Sequence, residues 1–401
     1  MGQVASGLDI LCSERLELIK GRRVGVLCHP ASVDAGLVHV VDRLMAAGIR
    51  PVRLFGPEHG VRGEAQDMVS VDAECDARSG IPVTSLYGQS QESLQPSPAS
   101  MAEIDVLLVD LQDIGSRYYT FIWTMALCLQ AAARAGVAVV VLDRPNPIGG
   151  DAVEGGEVEA GFDSFVGLGS LPVRHGLTMA EVARLVRAGI PWGGPRFAAP
   201  LDVDLTEVLM RGWQRRDAFE TTGLPWVLPS PNMPTVDTAF VYPGLCLIEG
   251  TNLSEGRGTT RPFEIIGAPF VDGFRLAERL AGDRLPGVRF RPLTFRPTFH
   301  KFAGQVCGGI QIHVTDRSMF RPYRSGIAIL RALHALGGEA FDWRREPYEF
   351  VSDRLAIDLL TGSDAIRTGI ERGATLAELE ATWMGAERRF AEWRKPHLLY
   401  R

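Results

Sequence analysis

Four short apolar runs in the first half of the chain constrain its fold more than any other feature of the sequence. Each run is followed by a loop rich in polar residues, glycine or proline, and helical spacing at 37–47 and 121–134 falls between them. Runs that are apolar on both faces suit the strands of a parallel sheet covered by helices on both sides. This β-α repetition predicts an α/β fold with a Rossmann-like layered sheet. The four runs are 23–28, 52–55, 105–110 and 137–143.

The length of the chain predicts two domains, because 401 residues exceed what one hydrophobic core usually organises. A capping box of Thr178 and Glu181 predicts a helix that a glycine then stops. The stretch 190–200 is rich in proline, glycine and tryptophan and suits a linker. We therefore expect a Rossmann-like domain at 1–189 and a smaller mixed α/β domain at 190–401.

The second half of the chain has a more mixed pattern. Extended runs are predicted at 242–248 and 309–316, and helices at 326–336 and 353–360. A long last helix is predicted from a capping box at Thr375, with apolar residues three and four positions apart in one stripe that faces a core. That stripe consists of Leu376, Leu379, Trp383, Ala386, Phe390 and Trp393.

Charge and cysteine content disfavour several classes of protein. The net charge of −6 and the lack of a dense Lys/Arg stripe argue against nucleic acid as a partner. The six cysteines form no C-x-x-C pair, and the apolar surroundings of Cys28 and Cys128 indicate buried free thiols. No apolar run suits a transmembrane helix, and the N-terminus lacks the features of a secretory signal. We expect a cytoplasmic protein, or an exported one if its signal has been removed, and leave the oligomeric state open.

The loops that follow the four apolar runs are the natural place for a ligand. In open α/β sheets, ligands bind in the crevice outside the carboxyl ends of the strands. Each of these loops carries a carboxylate, imidazole, guanidinium or amide group on a backbone that proline and glycine restrict. The candidates are His29 and Ser32, then Glu58, His59 and Arg62, then Asp110, Gln112, Asp113, Arg117, Tyr118 and Tyr119, and finally Arg144 and Asn146.

Glu58 is the best candidate for a general acid. A glycosidase needs a carboxylic acid that protonates the leaving oxygen, and either a second carboxylate or help from the substrate's acetamido group. Glu58 lies in a rigid Pro-Glu-His-Gly turn beside an apolar run, where partial desolvation favours the protonated form. His59 joins it as a candidate, although a lone histidine is usually structural. Asp110 or Asp113 could supply the second carboxylate, but Asp113 could equally anchor Arg117 in a structural pair.

A dense polar segment at 249–264 supplies candidates from the second half of the chain. Its carboxylates, amide, guanidinium groups and hydroxyls suit a sugar, and its glycines let backbone N–H groups approach a ligand. The rigid loop 230–234 adds a further amide. The substrate-binding candidates here are Asn232, Asn252, Glu255, Arg257 and Thr259.

Several fingerprints of other chemistries are missing from the sequence. It has no His-Glu-x-x-His, and its eight histidines are scattered singly, so we predict no metal site. It also lacks the Gly-x-Gly-x-x-Gly turn, the phosphate-binding Gly-x-x-x-x-Gly-Lys-Ser/Thr loop and the Gly-x-Ser-x-Gly elbow. We therefore predict that the protein uses no cofactor.

Taken together, these segments resemble the exo-β-N-acetylmuramidases of the NamZ type. The resemblance implies a Rossmann-like N-terminal domain, a smaller C-terminal domain and an active-site cleft between them. It also implies release of N-acetylmuramic acid (MurNAc) from the non-reducing ends of peptidoglycan fragments, in cell-wall turnover and recycling. The catalytic glutamate of the family maps to Glu58, in agreement with the loop chemistry. The matching stretches, from about residue 7 to the C-terminus, are LFGPEHGVRG, DLQDIGSRYYTF, LDRPNPIGG, VRHGLTMAE, LPSPNMPT, YPGLCLIEGTNLSEGRGTTRPFEIIGAPF and GGIQIHVTDR.

Two alternatives and one question of specificity stay open. A non-catalytic muropeptide-binding protein would bind MurNAc-containing fragments without releasing sugar, and a nucleotide-dependent enzyme would bind NAD or ATP. The mechanism can be retaining, inverting or substrate-assisted. Preference for MurNAc over N-acetylglucosamine (GlcNAc) requires a cation that meets the lactyl carboxylate, and arginine suits this. The candidates are Arg62, Arg117, Arg144 and Arg257, with Arg257 first because its glycine neighbours leave its side chain room.

Overall fold

A parallel sheet of six strands forms the first part of the computed structural model, which describes residues 3–63, 75–88, 90–192 and 195–401. Within those residues the strand order is β3-β2-β1-β4-β5-β6, and every pairing is parallel. This is the order of a doubly wound Rossmann fold. The predicted fold class and the four predicted strands are confirmed. The strands are β1 (Val24–Cys28), β2 (Arg53–Gly56), β3 (Val83–Ser85), β4 (Val106–Asp110), β5 (Ala138–Leu142) and β6 (Leu205–Val208).

Helices cover both faces of this sheet, as the two-sided apolar runs require. On β4, Val106 and Leu108 pack into one cluster with α1 and α2, while Leu107 and Val109 face the cluster that contains α4 and α5. The alternation follows from the two-residue period of a strand. The helices are α1 (Gly7–Glu14), α2 (Val40–Ala46), α3 (Pro98–Ala102), α4 (Phe121–Ala135) and α5 (Met179–Ala188).

Local signals place the ends of α4 and α5. The predicted capping box of Thr178 and Glu181 is present at the N-terminus of α5. Helix α4 ends at Gly136, which takes the left-handed conformation with φ of 66° that favours glycine. Both predicted helices are therefore confirmed.

The sheet continues past the predicted domain boundary at residue 189. Strand β6 pairs with β5 although it follows the predicted linker 190–200, of which residues 193–194 lie outside the described residues. The Rossmann-like unit therefore extends at least to Val208, and the division of the chain into two domains stays a prediction. The short strands β3 and β6 were not predicted, because their sequences, VTS and LTEV, are rich in polar residues and form no apolar run.

The second part of the molecule combines a small antiparallel sheet with seven helices among the residues that the structure describes. Its strands are β7 (Ile265–Ala268), β8 (Val288–Phe295) and β9 (Cys307–Val314), in the order β7-β9-β8. Its helices are α6 (Val236–Leu245), α7 (Gly273–Gly282), α8 (Pro322–Gly337), α9 (Ala356–Thr361), α10 (Ala365–Glu371), α11 (Leu376–Ala381) and α12 (Met384–Trp393). One apolar core contains residues from both parts, so the two parts pack directly against each other.

The prediction of an extended run at 242–248 is wrong. These residues belong to α6 and to the 3-10 helix Cys246–Gly250 that continues it. A short run that is buried on all sides has no periodicity that separates helix from strand. Helix α6 packs closely on α8 at Gly244, where an added Cβ atom would overlap the carbonyl oxygen of Pro322.

The single long helix predicted from Thr375 is two helices, α11 and α12, separated at Thr382 and Trp383. Its apolar stripe nevertheless faces the core as predicted, since Leu379, Trp383 and Phe390 are buried. Cys28 and Cys128 are buried free thiols, which confirms that prediction. Within the described residues, no helix has the length and apolar character needed to cross a membrane.

Candidate active site

A cleft lies between the carboxyl edge of the parallel sheet and the second part of the chain. The loops after β2 and β4 form one wall, as expected for an open α/β sheet. Six of the residues predicted from the sequence line it, namely Glu58, His59, Tyr118, Tyr119, Asn232 and Arg257. The full lining within the described residues is Glu58, His59, Tyr118, Tyr119, Thr120, Val166, Ser230, Asn232, Met233, Tyr242, Glu249, Arg257, Phe263, Tyr348 and Glu349.

Glu58 sits in a tight turn directly after β2. The N–H of Gly60 donates to the carbonyl oxygen of Pro57 at 2.9 Å, which closes the turn. His59 has a φ of 71°, a left-handed conformation that is unfavourable for a residue with a Cβ atom. Both Glu58 and His59 are 7% exposed. The turn thus holds a largely buried carboxyl group at the cleft wall.

A hydroxyl from the other loop orients the Glu58 side chain. Oγ1 of Thr120 donates to Oε2 of Glu58 at 2.7 Å. Thr120 occupies the N-cap position of α4, but its side chain makes no capping hydrogen bond to the helix. The hydroxyl is therefore committed to the carboxyl group, and the loops after β2 and β4 are joined at this point.

Aromatic rings form much of the cleft wall. The ring of Tyr242 lies 5.9 Å from that of Tyr119 and 4.7 Å from that of Phe263, both in edge-to-face geometry. Burial raises the pKa of Tyr118, Tyr119, Tyr242 and Tyr348 well above the usual value for tyrosine. Their hydroxyls are therefore neutral over the physiological range. Rings with neutral hydroxyl donors suit a sugar, which has apolar C–H faces and polar edges.

A charged network from the second part of the chain also lines the cleft. Oε1 of Glu249 accepts from Nη2 of Arg257 at 2.7 Å, and its Oε2 accepts from the Tyr348 hydroxyl at 2.7 Å. The Arg257 guanidinium also lies 5.1 Å from the ring centroid of Phe263. Glu249 and Arg257 therefore hold each other in place at the surface of the cleft.

Glu255 anchors this network from behind. Its carboxylate is fully buried and contacts Nδ1 of His300 at 3.0 Å, Nζ of Lys301 at 3.0 Å and Nε of Arg257 at 3.4 Å. Burial opposes its ionisation, but the charges of Lys301, His300 and Arg257 outweigh burial and hold the pKa of Glu255 below its usual range. Glu255 was a predicted substrate-binding residue, but it is not among the residues that line the cleft.

His29, at the end of β1, supports the neighbouring loops. Its Nε2 accepts the backbone N–H of Gln112 at 2.9 Å, which leaves the ring proton on Nδ1, 3.3 Å from the carbonyl oxygen of Pro229. Burial, with the nearby charge of Arg144, lowers the pKa of His29 to about 3. A neutral His29 thus ties the loop after β4 to the segment that precedes Ser230.

The loops after β4 and β5 hold predicted residues that lie behind the cleft. Asp110 and Arg144 form a buried pair through two hydrogen bonds of 2.5 and 2.8 Å. The Asn146 side chain donates to the carbonyl of Leu177, and that of Gln112 to the carbonyls of Asp113 and Pro145. All four side chains hold loops together, and none is among the residues that line the cleft.

The suggested pairing of Asp113 with Arg117 is wrong. Oδ2 of Asp113 accepts the N–H of Gly115 at 2.7 Å and lies 3.4 Å from Nε2 of His175. The Arg117 guanidinium is fully buried and donates to three backbone carbonyls, one of which belongs to Leu360 in the second part of the chain. Arg117 therefore joins the two parts, and neither residue is among those that line the cleft.

Three more predicted residues also make internal contacts away from the cleft lining. Arg62 forms a two-point ion pair with Asp76, at 2.7 and 2.9 Å. Asn252 donates to the carbonyl of Ala340, and the hydroxyl of Thr259 donates to the carbonyl of Gly256. These contacts stabilise the loops in which the three residues lie.

Several cleft residues were not among the candidates predicted from the sequence. Glu249 begins the polar segment at 249–264 that the sequence did identify, so the signal was present. Tyr348 and Glu349 belong to no motif, and only tertiary packing brings them to the cleft. Within the described part of the chain, no group of three or more His, Cys, Asp and Glu side chains is arranged to hold a metal ion.

Comparison with known proteins identifies the same family through a family model and through a relative of similar sequence. The family model described as exo-beta-N-acetylmuramidase NamZ, N-terminal, matches residues 24–237, and its C-terminal counterpart matches residues 240–400. The chain is 43% identical over 399 residues to the peptidoglycan beta-N-acetylmuramidase NamZ of Bacillus subtilis strain 168, covering 99% of this chain and 92% of that protein.

Two solved structures share the fold over the full length of the chain. Both are DUF1343 family proteins from Bacteroides fragilis NCTC 9343. One has a TM-score of 0.89 at 31% identity and the other a TM-score of 0.77 at 27% identity. In each comparison the match covers 100% of this chain and 99% of the other.

Proposed function

The chain belongs to the family of exo-β-N-acetylmuramidases described as NamZ, and we propose that it removes terminal MurNAc from peptidoglycan fragments with Glu58 as the general acid. As a member of this family the chain is a glycoside hydrolase. The two alternatives from the sequence, a non-catalytic muropeptide-binding protein and a nucleotide-dependent enzyme, are therefore set aside.

The position of Glu58 is the observation that carries the proposal. A general acid must be held within hydrogen-bond reach of the leaving oxygen, in a site where water does not compete. Glu58 meets these needs because it is 7% exposed, lies at the carboxyl edge of the sheet and is oriented by Thr120 at 2.7 Å. In the reaction, Glu58 gives its proton to the glycosidic oxygen as the bond to the anomeric carbon breaks.

The rest of the cleft supports a sugar as the substrate. The rings of Tyr119, Tyr242 and Phe263 offer flat apolar surfaces, and Ser230 and Asn232 add polar groups beside them. MurNAc differs from GlcNAc by a lactyl ether that carries a carboxylate. Arg257 contributes a guanidinium group to the lining and is our candidate for binding that carboxylate.

The proposal is tested by incubating the protein with the disaccharide MurNAc-GlcNAc and identifying the products by mass spectrometry. We expect free MurNAc and GlcNAc from the wild-type protein, and no MurNAc release when GlcNAc stands at the non-reducing end. An intact disaccharide after prolonged incubation would contradict the proposed substrate. If the wild type and Glu58→Gln release MurNAc at equal rates, the assignment of Glu58 as the general acid is contradicted, but the proposed substrate is not.

A further inference from the structure

We propose that Glu349 is the second catalytic carboxylate of the cleft, where it faces the anomeric carbon and compensates the positive charge that develops there. This proposal rests on the proposed function, because it concerns the same reaction. Glycosidases pass through a transition state that resembles an oxocarbenium ion, and a carboxylate beside the anomeric carbon stabilises that charge. Glu349 was not predicted from the sequence.

Glu349 reaches the cleft from the second part of the chain. It lines the same cleft as Glu58 and is 5% exposed. The hydroxyl of Tyr87 donates to its Oε2 at 3.3 Å, and Tyr87 follows strand β3 at the carboxyl edge of the parallel sheet. Glu58 and Glu349 therefore come from different parts of the chain, and both line the cleft in which we place the sugar.

The backbone at Glu349 is unfavourable for a glutamate. The N–H of Tyr348 donates to the carbonyl of Val351 at 2.9 Å, and the N–H of Val351 donates back at 3.0 Å. The two residues between them, Glu349 and Phe350, have φ of 47° and 66°. A two-residue turn with positive φ at both positions normally contains Asn, Asp or Gly. A glutamate in this turn therefore adds backbone strain, and such strain often occurs at functional sites.

Tyr87 fixes this turn in place. Its hydroxyl binds the Glu349 carboxylate, and its ring lies 5.9 Å from that of Phe350 in edge-to-face geometry. Both residues of the turn are thus held against the first part of the molecule. The carboxylate is positioned in advance, so little reorganisation is needed when charge develops on the sugar.

Glu249 is another carboxylate that the second part of the chain contributes to the cleft lining, and both of its oxygens bind protein groups. Arg257 binds one of its oxygens and Tyr348 the other, each at 2.7 Å. The guanidinium partner compensates the negative charge of Glu249, which weakens its effect on a developing cation. Glu249 is therefore not our candidate for the carboxylate that faces the anomeric carbon.

The reaction then balances as a hydrolysis. The bond between the anomeric carbon and the glycosidic oxygen breaks, and its electron pair passes to that oxygen, which takes the proton of Glu58. The oxygen of a water molecule forms the new bond to the anomeric carbon, and over the whole turnover a proton from that water restores Glu58. The Glu349 carboxylate stabilises the intervening positive charge and ends the turnover in its starting ionisation state.

The first test is Glu349→Gln, which removes the charge and keeps the size of the side chain. On MurNAc-GlcNAc we expect kcat to fall roughly 10²–10³-fold with little change in KM, as when one preorganised group that stabilises a transition state is removed. Glu346→Gln is the matched control, because Glu346 lies three positions away with a side chain that is 74% exposed. A wild-type protein without activity would defeat the proposed function. An active wild type with an equally active Glu349→Gln would defeat this inference alone.

The second test uses a substrate with an activated leaving group, 4-nitrophenyl β-MurNAc. Such a leaving group departs without protonation, so the defect of Glu58→Gln should shrink on this substrate. The defect of Glu349→Gln should persist, because charge develops at the anomeric carbon with any leaving group. Equal shrinkage in both variants would overturn the role given to Glu349.

The third test separates catalysis from stability. Asparagine tolerates positive φ better than glutamate does, so Glu349→Asn should relieve the turn. We expect a melting temperature at or above that of the wild type, together with a loss of kcat similar to that of Glu349→Gln. A lower melting temperature with activity retained would mean that Glu349 is structural, and would overturn the proposal.

Discussion

The hydroxyl of Thr120 donates a hydrogen bond of 2.7 Å to the carboxylate of Glu58, across a sequence separation of 62 residues. Thr120 lies at the start of α4 and Glu58 lies just after β2, so the contact depends on how the parallel strands bring their loops to one edge. The orientation of the proposed acid is therefore a property of the sheet. Mutation of Glu58 alone leaves that scaffold in place.

We expect Glu58→Gln to lower kcat on MurNAc-GlcNAc by roughly 10²–10⁴-fold, the usual contribution of general acid catalysis. Glutamine keeps the shape of the side chain and can still accept from Thr120, but it cannot protonate the leaving oxygen. The measurement is the initial rate of MurNAc release, with Glu278→Gln on the exposed face of α7 as the control. Near-normal turnover by a correctly folded Glu58→Gln would contradict the assignment.

The position of Glu58 at the cleft could be predicted from the sequence because its signal is local. An apolar run followed by Pro-Glu-His-Gly places a carboxyl group at a strand end, and the strand end determines the edge on which it lies. Strands β1, β2, β4 and β5 were predictable for the same reason, since each consists mainly of apolar residues in one short run. The sequence therefore predicted the sheet and the wall of the cleft that the sheet provides.

The other wall of the cleft could be predicted only in part. Asn232 and Arg257 lie in polar segments that the sequence identified, but the place of Glu349 depends on packing between distant segments. Glu349 reaches the cleft through a turn of Glu and Phe, a pair that the usual preferences for such turns would exclude. Arg117 lies in a loop that was predicted to bind substrate, but its guanidinium donates hydrogen bonds to three backbone carbonyls instead. An arginine in a polar loop has the same sequence signal whether its partner is substrate or protein.

The buried pair of Asp110 and Arg144 gives a prediction about stability. Arg144→Ala leaves the carboxylate of Asp110 buried without its two-point partner, and breaking such a pair costs about 3–5 kcal/mol. We expect a loss of that size in the free energy of unfolding, measured by urea titration at neutral pH. Asp110→Leu combined with Arg144→Met should recover much of it, because no uncompensated charge remains. A folded, fully stable Arg144→Ala would contradict the structural role.

The prediction that no metal takes part can be tested directly. The described residues contain no cluster with the composition of a metal site, and general acid catalysis by Glu58 needs none. We expect the rate of MurNAc release to be unchanged after exhaustive dialysis against EDTA. A loss of activity that a divalent cation restores would contradict the prediction.

Arg257 gives the prediction about specificity. Among the four arginines proposed from the sequence to bind the lactyl carboxylate, it is the one that lines the cleft. A charge-assisted hydrogen bond is worth roughly 1.5–3 kcal/mol. We therefore expect Arg257→Ala to lower kcat/KM for MurNAc substrates roughly 10- to 150-fold, at about 1.4 kcal/mol per tenfold.

Removing Arg257 also disturbs its protein partners, so the measurement must separate recognition from damage. Glu255 keeps Lys301 and His300, and Glu249 keeps the Tyr348 hydroxyl, which should preserve the fold.

General damage to the cleft lowers the turnover of MurNAc and GlcNAc substrates together, whereas loss of the carboxylate contact lowers only the turnover of MurNAc substrates. The decisive quantity is the ratio of the two kcat/KM values. It should fall in Arg257→Ala, recover in part in Arg257→Lys and stay constant in Arg144→Ala. A constant ratio in Arg257→Ala would mean that another group binds the lactyl carboxylate.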